Sequence, residues 1–156
     1  MQDINSETEF ENHIRDIIRQ DILKNDSNLI LLKNKKAVDI LICRNNDNPT
    51  LFFLEIKYHK NKHGRLGFGH GKGGGIQPEI LTVRPDFFET NLKWIIGSED
   101  SDSYFLFDNA GLYKYIQGGT VGEKFNGIKK KLFKEVVGIN REQLVTELTN
   151  WINNDI

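Results

Sequence analysis

Residues 37 to 58, AVDILICRNNDNPTLFFLEIKY, decide the fold. Two apolar runs rich in β-branched and aromatic residues, AVDILIC (37 to 43) and LFFLEIKY (51 to 58), flank RNNDNP, a cluster of turn formers. The pattern predicts an antiparallel hairpin turning near Asp47. Strand side chains alternate faces, so Glu55 and Lys57 share one side of the second strand while Phe52, Leu54 and Ile56 fill the other. Asp39 interrupts the apolar run of the first strand, and the hairpin sets it opposite or beside Ile56, within one residue of register. Asp39, Glu55 and Lys57 are therefore expected to converge.

Such a cluster has a chemical meaning. An unpaired buried charge costs several kcal/mol, so two carboxylates and an ammonium on a buried strand need a metal, each other, or water. Paired carboxylates suit a hard divalent cation such as Mg²⁺, which takes oxygen ligands and leaves room for a phosphate and a nucleophile. A lysine beside them can orient or deprotonate an attacking water and offset charge in the transition state.

The remaining elements extend outward from the hairpin. Ser6-Glu7-Thr8-Glu9 has the form of a capping box, and Phe10, Ile14, Ile17 and Ile18 follow at helical spacing, predicting a helix over 7 to 23. LILL (29 to 32) reads as a third strand. DFFETNLKWII (86 to 96), ahead of Gly97, reads as a helix. SYFLFD (103 to 108) and LYKYIQ (112 to 117) read as strands joined at Asn109-Ala110-Gly111. Phe125, Ile128, Leu132 and Val136 predict a helix with its lysines outward, and a last helix starts near Asn140 with Gln143 at the reciprocal capping position. No repeat or linker divides the chain, so one α/β domain over 1 to 156, a sandwich with a mixed central sheet, is expected.

Composition narrows the function classes. A chain of 156 residues buries roughly two-thirds of its extended surface and needs no staples. The single Cys43 lies in an apolar strand and reads as a core residue of a reduced, intracellular protein. No apolar run approaches the roughly 20 residues that span a bilayer, and MQDINSETEF lacks signal-peptide character, so a cytoplasmic protein with no membrane partner is expected. A net charge of -1 excludes a globally basic protein, yet five Lys or Arg and no acid lie between Lys57 and Pro78, and five Lys and no acid between Lys124 and Lys134.

Asp39, then Glu55-Ile56-Lys57 on the next strand, resembles the D...(D/E)xK signature of the PD-(D/E)xK nuclease superfamily, whose members include restriction-endonuclease-like and Holliday-junction-resolvase-like enzymes. The leading helix and the hairpin stand in that family's order, and Glu55-Ile56-Lys57 is the only (Asp/Glu)-x-Lys in the chain. Val38 stands where the family often has proline. The resemblance covers roughly residues 7 to 80. It implies a restriction-endonuclease-like three-layer sandwich and a Mg²⁺-dependent nuclease, with Mn²⁺ as a substitute ion. By the same resemblance Asp39, Glu55 and the carbonyl of Ile56 are metal ligands and Lys57 is the catalytic lysine. An acid on the first helix, Glu11 in preference to Glu7, assists the metal, and Gln77 joins the active site. DNA is the expected substrate and RNA the second candidate. Cutting both strands suggests a homodimer. The rival readings are a non-catalytic nucleic-acid-binding module of the same fold and an interaction domain with incidental carboxylates.

HKNKHGRLGFGHGKGGGIQ, residues 59 to 77, follows the motif strand and holds half of the 14 glycines and three of the 4 histidines. Gly67 to Lys72 is one residue short of a phosphate-binding loop and lacks its hydroxyl residue. His59, His63 and His70 fall short of the four ligands usual for zinc. The stretch is expected to be a basic loop in which Lys60, Lys62, Arg65 and Lys72 approach a phosphate backbone and Phe68 stacks on a base or wedges into a groove.

Overall fold

The structure, a computed structural model, describes residues 3–32, 38–63, 90–117 and 127–154. Its centre is a five-stranded sheet in the order β1-β2-β3-β4-β5, formed by Leu29–Leu32, Ile40–Arg44, Thr50–His59, Leu92–Ser98 and Ser101–Phe107. The β1-β2, β2-β3 and β4-β5 pairs are antiparallel, while β3 and β4 run parallel, so the sheet is mixed as expected. A two-stranded ribbon of β6 (Ile116–Gln117) and β7 (Gly127–Ile128) lies apart from it.

Helices cover both faces. One face of the sheet packs on α1 (Glu7–Ile17) and the C-terminal helix α4 (Arg141–Asn154), burying Phe10, Ile14, Phe52, Leu54, Ile56, Leu144 and Leu148 in one core. The opposite face meets two short helices, α2 (Asn109–Tyr113) and α3 (Leu132–Glu135), around Trp94, Ile96, Phe105, Leu112 and Leu132. The result is a three-layer α/β sandwich. No helix among the described residues is long and apolar enough to cross a membrane.

α1 begins as its capping residues dictate. Ser6 is extended, and its side chain accepts from the Glu9 backbone N–H at 3.1 Å. After Ile17 the chain continues through a π-helical turn, Ile18–Ile22, and a 3₁₀ turn, Leu23–Asn25, filling the expected span. At the other end Asn140 and Gln143 cap each other, each backbone N–H donating to the other's side-chain oxygen at 2.9 Å.

Three expectations are corrected. DFFETNLKWII was read as helical, but from Leu92 onward it is the strand β4; residues 86 to 89 lie outside the described set. Leu92, Trp94 and Ile96 face one core and Ile95 the other, so apolar residues on both faces hide the period-two signal that marks a strand. LYKYIQ was read as a strand throughout; its end, Ile116–Gln117, is the strand β6, but Asn109–Tyr113 is helical because Asp108 accepts from the Gly111 N–H at 2.6 Å and caps a turn of helix. The helix expected from Phe125 to Val136 is broken up. Gly127 and Ile128 pair with β6, only Leu132–Glu135 is helical, and Phe125 lies outside the described residues.

Candidate active site

The site is built where β3 outruns β2. Pairing between them ends at Ile40 against Leu54, while β3 continues to His59 beside β4. Phe53 donates to Asn91 and the His59 carbonyl accepts from Glu99, so odd-numbered residues of β3 turn their backbone groups toward β4. Even-numbered residues turn theirs toward β2, and among the described residues no strand meets them beyond Leu54.

Two carboxylates take up those groups. Asp39 accepts from the Ile56 N–H at 2.7 Å, and Glu7 accepts from the Tyr58 N–H at 3.3 Å. The hairpin register therefore sets Asp39 within one residue of Ile56, as expected. The Ile56 carbonyl points to the same open side of the strand as its N–H.

Glu55 and Lys57 project from the opposite face to Leu54 and Ile56, as the alternation requires, and both are buried, at 1% and 3% exposure. Glu55 sits in register with Trp94, and Lys57 with Ile96, so their neighbours across the strand are apolar. Burial pushes the Glu55 carboxyl up to about 9; the charge of Asp39 and a hydrogen bond to it add to the rise, and Lys57 opposes it. Glu55 thus holds a proton at neutral pH, while its Oε2 is buried without a hydrogen-bond partner. The Lys57 ammonium reaches Glu7 Oε1 at 3.4 Å.

The first helix contributes in a way the sequence did not resolve. Glu11, the preferred acid, pairs instead with Arg15 at 2.9 Å, and Arg15 also donates to the backbone carbonyl of Asp39. Glu7, one turn earlier, is the acid that meets Lys57. Glu11 and Arg15 together hold the entry of β2, and with it Asp39, in place.

His59, read as part of the loop, closes β3 instead. It is buried on the face of Glu55 and Lys57, with its ring 5.5 Å from that of Phe133. Lys60 donates to the Asn5 carbonyl and Lys62 is exposed. Arg65, Phe68, His70, Lys72 and Gln77 lie outside the described residues.

Among the described residues no three His, Cys, Asp or Glu side chains converge as a ligand cluster. The chain presents two carboxylates, Asp39 and Glu55, with the Ile56 carbonyl on the open strand side. An orphaned buried carboxylate oxygen beside a second carboxylate is a poor arrangement for a protein alone and a good one for a cation. A set of few protein oxygens fits Mg²⁺, which keeps several waters.

Comparison of the chain with protein-family models, with curated proteins and with solved structures finds no match.

Proposed function

We propose that the protein is a Mg²⁺-dependent nuclease that hydrolyses phosphodiester bonds, with DNA as its substrate, of the PD-(D/E)xK type that Asp39 and Glu55-Ile56-Lys57 resemble. The reading is supported by Glu55, buried with one carboxyl oxygen unpartnered, beside Asp39 and Lys57 on a strand that outruns its neighbour. Asp39, Glu55 and the Ile56 carbonyl would hold the ion, which when bound would supply Lewis-acid stabilisation of the charge developing at the scissile phosphate.

The chain's own groups do the rest. Lys57, buried and hydrogen-bonded to Glu7, is held at the edge of the carboxylate pair, where it orients the attacking water and draws on its proton. Glu7 holds the Lys57 ammonium and satisfies the Tyr58 N–H. Arg15 fixes the backbone of Asp39. The basic stretch from Lys60 to Lys72 supplies the phosphate-backbone contacts.

The test is incubation with plasmid, branched DNA and RNA in Mg²⁺, Mn²⁺ or EDTA. The expected result is DNA cleavage in either ion and none in EDTA, slowed by roughly 10²–10⁴-fold in Lys57→Ala, the range that a positioned acid or base contributes. Binding without cleavage would identify a nucleic-acid-binding module instead, and neither binding nor cleavage an interaction domain.

A further inference from the structure

The two outer layers of the sandwich carry opposite charge. Residues 3–26 and 141–154, which build the α1–α4 layer, hold nine Asp or Glu and four Lys or Arg. Residues 109–117 and 127–137, which build the α2–α3 layer, hold five lysines and a single acid, Glu135. The chain between those two stretches, 118 to 126, adds one base and one acid and leaves the balance unchanged. The net charge of -1 is therefore the sum of an acidic side and a basic side.

The basic layer holds its lysines clear of the core. Leu132 and Phe133 pack inward around Trp94 and Phe105. Lys130, Lys131 and Lys134, related by three- and four-residue spacing, are left on the outward face of the α3 turn. The ribbon brings Lys114 and Lys129 beside them, because Ile116 pairs with Ile128 and the Lys129 N–H donates to the Tyr115 carbonyl at 2.7 Å. All five lysines are exposed. Among the described residues only Lys131 has an acidic partner, Glu135 at 3.6 Å, so four ammonium groups stand without a described carboxylate.

This surface adjoins the candidate active site. Glu55, Lys57 and His59 project from the sheet face that α2 and α3 cover, and the ring of Phe133 lies 5.5 Å from that of His59. The outward face of α3 is thus about one helix diameter, roughly 10 Å, from the end of β3. We propose that the outward face of α3 and the β6–β7 ribbon bind the sugar-phosphate backbone of duplex DNA and lay it across the end of β3, in addition to the Lys60–Lys72 stretch. The proposal deepens the nuclease reading and rests on it for the substrate. Four ammonium groups that each neutralise a phosphate release their counterions and contribute about -3 to -4 to the salt slope of binding. Such contacts position the duplex without reading its sequence. The acidic α1–α4 layer repels the backbone, which selects the side from which the duplex approaches.

Binding of a fluorescent duplex of about 20 base pairs by the full chain, in EDTA and from about 50 to 200 mM NaCl, tests the surface apart from chemistry. Lys130→Gln/Lys134→Gln is expected to weaken binding at least about 10-fold at the lowest salt and to reduce the salt slope by about 2. Arg19→Gln/Lys24→Gln makes the same change of charge on the acidic layer and is expected to shift affinity less than about 2-fold. Both variants are expected to keep the wild-type circular dichroism spectrum, because all four side chains are exposed. Equal losses in the two variants would reduce the effect to bulk charge and overturn the surface, as would unchanged binding in Lys130→Gln/Lys134→Gln. A wild type that binds no duplex, or that binds anionic lipid vesicles in its place, would overturn it too. A wild type that binds through these lysines and cleaves nothing in Mg²⁺ would support the surface and sink the nuclease reading alone. Cleavage by a wild type whose Lys130→Gln/Lys134→Gln variant binds normally would sink the surface alone.

Discussion

Glu55→Gln is expected to abolish cleavage and, at the same time, to make the metal-free protein more stable at alkaline pH. The two effects share one cause. Folding raises the Glu55 carboxyl from 4.5 to about 9, so the folded chain binds a proton at pH values where the unfolded chain has lost it. The stabilisation from that bound proton is complete below pH 4.5 and is lost progressively as the pH rises through about 9. At pH 8 the wild type carries a penalty on the order of 3–5 kcal/mol relative to a side chain that never ionises. Glutamine keeps the shape and the donor to Asp39 without the acid, so Tm at pH 8 is expected to rise by about 6–20 °C. At pH 5 the gain shrinks to within about 2 °C. Cleavage in Mg²⁺ falls by at least about 10²–10³-fold, the scale on which a single stabilising group acts. A thermal melt series from pH 5 to pH 9 checks the first effect. A wild-type melt that is flat across that range would show that Glu55 is not buried as the acid.

The second large effect is expected at a residue that touches no carboxylate. A Cβ at Gly97 would lie 2.6 Å from Phe10 Cζ and within 2.9 Å of two more ring carbons. Phe10 is fully buried, with the ring of Tyr58 at 5.2 Å and that of Tyr104 at 6.3 Å, so it has nowhere to retreat. Gly97→Ala is therefore expected to cost about 3 kcal/mol, at the upper end of ordinary overpacking, and Gly97→Val more. Denaturant melts measure the cost. Because Phe10 lies in the turn after Glu7, any relief comes from lifting the start of α1 off β3. That motion would take Glu7 from Lys57, so cleavage is expected to fall as well. Phe10→Leu combined with Gly97→Ala is expected to recover part of the stability, which a double-mutant cycle resolves as a favourable coupling.

The parts of the fold that were legible in the sequence are those where one physical signal dominated. A capping box and a 3.6-residue stripe located α1, and the reciprocal cap at Asn140 and Gln143 located α4. The turn residues between two short apolar runs set the β2-β3 register closely enough to bring Asp39 to Ile56. The illegible parts are those where tertiary context overrode the local pattern. β4 is buried on both faces, so alternation could not reveal it. Asp108 reads equally as the end of a strand or as a cap, and only its bond to Gly111 decides. Glu7 and Glu11 lie one turn apart on the same helix. Which of them reaches Lys57 depends on how α1 docks across β3, and the Gly97 notch that lets Phe10 settle there is visible only in three dimensions.

Asp39 and Glu55 are proposed to form a cation site at which the ion takes the place of the Glu55 proton. Calorimetric titration with Mn²⁺ at pH 7, in two buffers of different protonation enthalpy, tests it most directly, because a cation that binds there must displace the Glu55 proton. Saturable binding with release of about one proton per ion is expected, lost in Asp39→Asn and in Glu55→Gln. Binding that releases no proton, or that survives both substitutions unchanged, would contradict it.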